Sequence, residues 1–215
     1  MKYPLLFKLL VGFCLVSIWA SDVQAQDQNE VTPSKTFQFG LRAGALLSNA
    51  TLEQSSWGQE PESKIGADLA AIGKLPLGQG AFSLQPELHW MMKGYQIGHA
   101  TTDSLDYGQV VSTFYFLELP VLLRYDFGGS LKLFVVAGPS LGYFIGGTQD
   151  SDAYGLQYFD QSTFNRIEFG THFGVGVGIG PIELDVRYLI GWSDIAEGEP
   201  VVKNKALGVG VSYMF

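Results

Sequence analysis

The sequence predicts an all-β fold, an eight-stranded antiparallel transmembrane up-and-down β-barrel preceded by a cleaved signal peptide. Three observations carry this prediction. The closing segment LGVGVSYMF (207–215) alternates between large apolar and small or polar side chains, and a strand places alternate side chains on opposite faces. Similar alternating segments recur along the chain. Beyond the first residues no stretch approaches the roughly 18 apolar residues of a spanning helix, and lipid otherwise admits only closed barrels.

The N-terminal segment 1–25 differs from the remainder and is predicted to be a signal peptide. Two lysines precede an apolar stretch, and small residues follow it, which is the order found in secretory signals. Cys14 lies inside this segment, so the exported chain would have no cysteine, disulfide or Cys-ligated metal. A short periplasmic leader (26–35) is predicted to precede the outer-membrane β-barrel domain (36–215).

Eight alternating segments, bounded by Gly, Pro, Asn, Asp and Ser clusters, are the predicted strands. Their approximate ranges are 36–47, 64–75, 81–95, 112–127, 130–146, 165–180, 181–193 and 204–215. The connections near 76–80, 128–129 and 180–181 are short, whereas those near 48–63, 96–111, 147–164 and 194–203 are long, polar and acidic. This alternation is typical of outer-membrane barrels with short periplasmic turns and longer outer loops. The even strand count predicts that both termini are periplasmic.

Aromatic residues gather at both ends of the predicted strands. Those at the turn ends are Phe37, Phe39, Phe82, Tyr125, Phe127, Tyr213 and Phe215; those towards the long connections are Trp90, Tyr115, Tyr143, Phe169 and Trp192. Such groups form interfacial girdles on either side of a lipid band. The alternative, a soluble two-layer sandwich with an aromatic core, would not explain the alternation of connection lengths.

The terminal aromatic residue resembles the signal by which bacterial outer-membrane barrels are recognised for assembly. Tyr213 and Phe215 are therefore the predicted assembly signal. The partners that this implies are the barrel-assembly machinery during biogenesis and outer-membrane lipid.

The opposite strand face collects nearly all strand charges in balanced numbers, with Gln85, His89 and His172 among them. The cations are Arg42, Lys74, Lys93, Arg124, Lys132, Arg166 and Arg187, and the carboxylates are Asp68, Glu87, Glu118, Asp126, Glu168, Glu183 and Asp185. On this assignment only Lys64, at a strand end, faces lipid. An eight-stranded barrel is just wide enough for its own side chains, and buried charges need partners. The sequence therefore predicts a plugged lumen that contains a charge network.

Most of the remaining acidic residues lie in the long connections, which makes the outer surface negative. This negative surface argues against nucleic-acid binding, which requires basic patches. Weak divalent-cation binding is the alternative to a simply solvated set of loops, although no ordered ligand spacing indicates it.

Two patterns resemble chemical sites. Glycines at 174, 176, 178 and 180 share one strand face and precede no helix, so we interpret them as space for long lumen side chains rather than a phosphate loop. Ser83, Glu87 and His89 could supply a hydrolase, but they lie on one strand instead of converging at the rim. The histidines show no metal signature. The sequence thus predicts no catalytic, cofactor-binding or metal site.

Several blocks resemble the PorT-like outer-membrane beta-barrel family over essentially the whole exported chain. They are FGLRAGALLSNA (39–50), LQPELHWMMKG (84–94), FLELPVLLRYDF (116–127), VVAGPSLGYFIGG (135–147), ELDVRYLIGWSDI (183–195) and the closing strand. Trp90 and the two methionines after it replace a Tyr-Ser-Gln-like stretch common in that family. The resemblance implies an outer-membrane barrel. One branch of that family is implicated in type IX protein secretion and gliding, while most of its members have no assigned role.

The function predicted is that of a monomeric, non-enzymatic outer-membrane barrel that acts through its outer loops or an envelope protein partner. Secretion or envelope assembly enters by the resemblance only. A narrow passive porin for small solutes is the alternative, and an outer-membrane hydrolase is a third reading.

Overall fold

The computed structural model describes residues 36–53, 61–102, 105–128, 131–158, 165–194 and 201–215. The predicted signal peptide and leader lie outside these residues. No helix of membrane-spanning length and hydrophobicity occurs in the described part of the chain.

Nine strands are present in the described residues, and all pairings between them are antiparallel. They are β1 (Gln38–Glu53), β2 (Glu62–Pro76), β3 (Phe82–Thr102), β4 (Leu105–Asp126), β5 (Lys132–Ser151), β6 (Gly155–Tyr158), β7 (Ile167–Ile179), β8 (Ile182–Gly191) and β9 (Val201–Met214). All except β6 form a closed ring, because β9 pairs with β1 and β4 pairs with β5. The predicted eight-stranded antiparallel barrel is confirmed.

Side-chain burial alternates along the barrel strands as a lipid-facing exterior requires. In β9, Leu207, Val209 and Val211 are exposed, whereas Ala206 and Ser212 are buried. Large apolar side chains are likewise exposed on the outer faces of all the remaining barrel strands. A continuous apolar exterior of this extent fits hydrocarbon and is rare on monomeric soluble proteins.

The two aromatic groups lie at the two ends of this apolar band. At the short-turn end the rings of Phe39 and Phe215 stack with centroids 5.9 Å apart. At the opposite end Trp90 and Tyr115 stack at 6.0 Å. Tight connections join strands at the first end, where Gly180 has a φ of +62° that favours glycine.

The predicted long loop at 96–111 is wrong. Here β3 continues to Thr102 and β4 begins at Leu105, so the two strands extend as a paired hairpin. Likewise β5 continues to Ser151 and pairs with β6. Outside the lipid neither strand face has to be apolar, so these extensions lack the alternation that indicates a strand.

Candidate functional site

A closed ring of ion pairs crosses the middle of the lumen, and it is called the central ring below. Every side chain in it is buried, and each contacts the next one by at least one ion pair or hydrogen bond. In order around the ring, the members are Arg42, Asp68, His89, Glu87, Arg187 and Asp185.

Arg42 crosses a neighbouring strand to reach one of its partners in the central ring. Its guanidinium donates from Nε and Nη2 to the two carboxylate oxygens of Asp185, at 3.0 and 2.8 Å, and from Nη1 to Asp68. Because β9 lies between β1 and β8, the Arg42 side chain must pass over β9 to reach Asp185. Gly210 of β9 stands opposite Asp185 in the register, and a Cβ built on Gly210 would overlap the Arg42 guanidinium. The absence of a side chain at Gly210 therefore permits this ion pair.

His89 joins the two remaining carboxylates of the central ring. Its Nδ1 lies 2.6 Å from an oxygen of Asp68, and its Nε2 contacts Glu87. Both ring nitrogens are thus engaged with acceptors, and none is left to activate Ser83, which is buried elsewhere on the same strand. This arrangement fits a structural histidine rather than a hydrolase base.

A second group, the upper layer, lies on the long-connection side of the central ring. Lys93 Nζ lies 2.8 Å from Glu118 and 3.1 Å from Glu168. His172 Nε2 lies 2.8 Å from the other oxygen of Glu118, and Asn204 donates to Glu168 at 2.9 Å. The rings of His89 and His172 are 5.9 Å apart, which brings the upper layer into contact with the central ring.

The basal layer lies towards the short turns and centres on Arg124. Its guanidinium binds both oxygens of Glu183 at 2.7 and 2.8 Å, contacts Asp126 at 2.9 Å, and donates to Gln85 at 3.1 Å. It also stacks 3.7 Å above the ring of Phe134, an arrangement that adds cation–π attraction.

We expect Arg124→Leu to lower the free energy of unfolding in detergent by about 1–3 kcal/mol, less than the loss of a fully buried partner would cost. The reason is that the side chains of Glu183 and Asp126 are 12% and 29% exposed, so water can solvate them once Arg124 is gone. Chemical denaturation of the purified barrel measures this. A loss as large as that from disrupting the central ring would contradict the layer assignment.

Apolar side chains fill the space between the layers. One cluster contains Leu46, Met91, Leu189 and Ala206, and another contains Leu122, Phe134 and Val136. A cavity of about 10 Å³ beside Lys93 and Asn204 has room for a single water molecule. The described lumen is therefore a packed interior.

The predicted lumen positions of Lys132 and Arg166, and the prediction that only Lys64 faces lipid, need correction. Lys132 and Arg166 are exposed, and Arg166 donates to the hydroxyl of Tyr143 at 3.2 Å instead of entering the lumen. Lys205 is also exposed on the outward face of β9, so Lys64 is not the one strand charge outside. The carboxylates in the lumen consequently outnumber its Lys and Arg side chains, and His89 and His172 supply further contacts to them.

Four strands extend beyond the aromatic band at the long-connection end, and we call this part the projecting sheet. It comprises residues 97–102 of β3, 105–111 of β4, 146–151 of β5 and all of β6. Relative to Tyr115, β4 continues for roughly 30 Å along the strand, at about 3.4 Å per residue. By contrast β7 begins at Ile167, beside the band residue Phe169. The sheet therefore rises well beyond the start of β7, while β1 and β9 stay paired for only three residues beyond Asn204.

Residues 24–197 match the family described as outer membrane protein beta-barrel domain. The chain belongs to this family. Membership of the beta-barrel domain family supports an outer-membrane location for the chain.

Solved structures of outer-membrane barrels resemble this member of the beta-barrel domain family in fold. Neisserial surface protein A is 16% identical with a TM-score of 0.48, over 82% of this chain and 97% of that chain. Ail of Yersinia pestis, solved with sucrose octasulfate, is 14% identical with a TM-score of 0.43, over 83% and 99%. The outer membrane enzyme PagL is 14% identical with a TM-score of 0.48, over 80% and 98%. No curated protein matches the chain.

Within the described residues, no group of three or more His, Cys, Asp or Glu side chains is arranged to hold a metal ion. Sequence reasoning missed three contributors to the lumen: Asn204, the ring of Phe134 and the space at Gly210. Asn204 and Gly210 share the inward face of β9 with Ser212, so the alternation of the strand could have placed both of them in the lumen.

Proposed function

We propose that this protein is a non-conducting, non-enzymatic outer-membrane barrel that presents its projecting sheet to a protein partner outside the cell. The observation that carries the proposal is the contrast between the two parts of the molecule. The lumen is closed by three layers of ion pairs, while β3 to β6 extend well beyond the apolar band. A barrel whose only role was conduction would need an open lumen and would have no use for strands that extend beyond the apolar band.

The proposed role of the partner rests on the PorT-like resemblance, which suggests secretion or envelope assembly, including type IX secretion. The barrel is proposed to act as a monomer with both termini in the periplasm. The assembly signal at Tyr213 and Phe215 would then enter the membrane from the periplasmic side. The short turns share the end of the barrel at which β9 finishes, which is consistent with this orientation.

We expect the purified protein to give no steady open-channel current in a planar lipid bilayer, because the ion pairs leave no continuous water path. A large-pore porin reconstituted in the same bilayer is the control for insertion. Reproducible single-channel steps from pure protein would overturn the plugged lumen and favour the alternative, a narrow passive porin.

The orientation has a separate test, since Cys14 is the chain's sole cysteine and lies in the predicted signal peptide. We expect a cysteine at Tyr158 to react with a membrane-impermeant maleimide on intact cells. A cysteine at Leu131, exposed beside a short turn, is the matched control and should react only after the outer membrane is opened. The reverse pattern would invert the proposed orientation.

A further inference from the structure

Strand β6 is the edge of the projecting sheet. In the described residues it pairs with β5 alone, from Thr148 opposite Tyr158 to Ser151 opposite Gly155. Below this pairing, the same side of β5 is covered by β7 up to Tyr143. In an antiparallel ladder only alternate residues of an edge strand bond to their neighbour, so β6 directs other backbone N–H and C=O groups away from β5.

The side chains of β6 are exposed as well. Leu156 is 59% exposed and Tyr158 is 81% exposed, and their spacing places them on one face of the strand. Both lie on the extension beyond the aromatic band, where membrane lipid does not contact them. An edge that is unpaired within the described ranges and carries exposed apolar side chains is a template for an added strand.

The negative charge around this edge favours a basic binding partner. Residues 95–123 and 133–165 contain no Lys or Arg. Asp106, Asp150 and Asp152 are exposed on the projecting sheet, and Asp152 is held against β4 by a 2.8 Å hydrogen bond from the Gln109 N–H. The projecting sheet therefore has a negative surface that attracts cations and repels a second copy of itself, and the exposed Arg166 lies below it beside Tyr143.

We propose that the outer edge of β6 binds an extended, basic segment of the protein partner, which adds to the projecting sheet as a further strand. This inference rests on the proposed function, because it names the part of the projecting sheet that the partner contacts. Main-chain hydrogen bonds to β6 supply the pairing. Leu156 and Tyr158 contact apolar side chains of the segment, and the exposed carboxylates of the sheet attract its Lys or Arg residues electrostatically.

The test uses the full exported chain in lipid nanodiscs and a fluorescent peptide, Lys-Val-Lys-Val-Lys-Val-Lys, as the probe in anisotropy titrations. We expect this peptide to bind at least tenfold more tightly than its Glu counterpart. A version with N-methyl groups on alternate residues should also lose at least tenfold, because it cannot form the ladder. Equal binding of the N-methylated peptide would overturn strand addition, and equal binding of the Glu peptide would overturn the charge selection.

Variants locate the site. Tyr158→Arg should weaken binding of the basic peptide about tenfold by removing the ring and adding a like charge. Leu131→Arg, the same type of change at the opposite end, should leave it unchanged. Equal effects of both variants would overturn the assignment to β6, as would a stable dimer of the wild-type protein that Tyr158→Arg dissociates.

A photo-cross-linking amino acid separates this inference from the function on which it rests. Placed at Tyr158 in intact envelopes, it should capture the same protein partner that it captures at Gln109, an exposed position of β4. Capture at Gln109 but not at Tyr158 would overturn the β6 site and keep the projecting sheet as the partner surface. Capture at neither position would overturn the proposed function itself.

Discussion

Gly210→Leu is expected to lower the free energy of unfolding in detergent by about 3–5 kcal/mol, or to prevent folding. The new side chain would occupy the space through which Arg42 crosses β9, so Arg42 would be displaced and Asp185 would lose two hydrogen bonds. Asp185 would keep only the Arg187 contact, and the charges of Arg42 and Asp185 would stay in a medium of low polarity without each other. Denaturant-induced unfolding followed by tryptophan fluorescence measures the loss.

The matched control is Val209→Leu, one residue away on the lipid-facing side of the same strand, where the change should be nearly neutral. A double-mutant cycle with Arg42→Ala identifies the mechanism, because two changes that break the same ion pair are not additive. Full additivity of Gly210→Leu and Arg42→Ala would contradict the proposed crossing.

Glu118→Leu is expected to produce a loss of similar size, about 3–5 kcal/mol, because Glu118 has two buried partners. Lys93 would retain only Glu168 as an anionic contact, and Nε2 of His172 would lose its acceptor. Since Nδ1 of His172 has no hydrogen-bond partner among the described residues, the whole imidazole would then be buried without a hydrogen bond to them. The midpoint of thermal or denaturant unfolding reports the effect.

Glu118→Gln serves as the conservative comparison, since an amide of the same shape still offers an oxygen to Lys93 or His172. We expect it to lose clearly less than Glu118→Leu. If both variants unfolded at the wild-type midpoint, Glu118 would not be a buried partner and the inward assignment of β4 would fail.

The sequence pattern was a good guide to which face of a strand each residue occupies. Period-two alternation placed Arg42, Glu87 and Arg187 on the same side as the lumen, because lipid tolerates few charges on the other. The same argument could not identify partners. Arg42 pairs with Asp185 because of the strand order, the register and the gap at Gly210, none of which alternation encodes.

The errors occur where lipid no longer constrains the strand. Arg166 precedes β7 at the membrane edge and turns outward to Tyr143, a choice that has little cost where water is near. The hairpin between Gln96 and Val111 shows no sustained alternation in its sequence and therefore resembles a loop, although it buries Ile97 against Val110 and pairs with its neighbouring strands through the backbone. The edge strand β6 is too short for any periodic signal.

Spin labels placed singly along β9, from Leu207 to Ser212, test most directly whether hydrocarbon surrounds a packed polar interior. In a bilayer, labels at 207, 209 and 211 should collide with oxygen, which concentrates in lipid. Labels at 208 and 212, which leave the Arg42 crossing at Gly210 unchanged, should be shielded from both oxygen and a water-soluble nickel complex. Nickel access at the even positions would reveal a water-filled lumen, and oxygen access there would show that the strand faces are inverted. Either result would contradict the account.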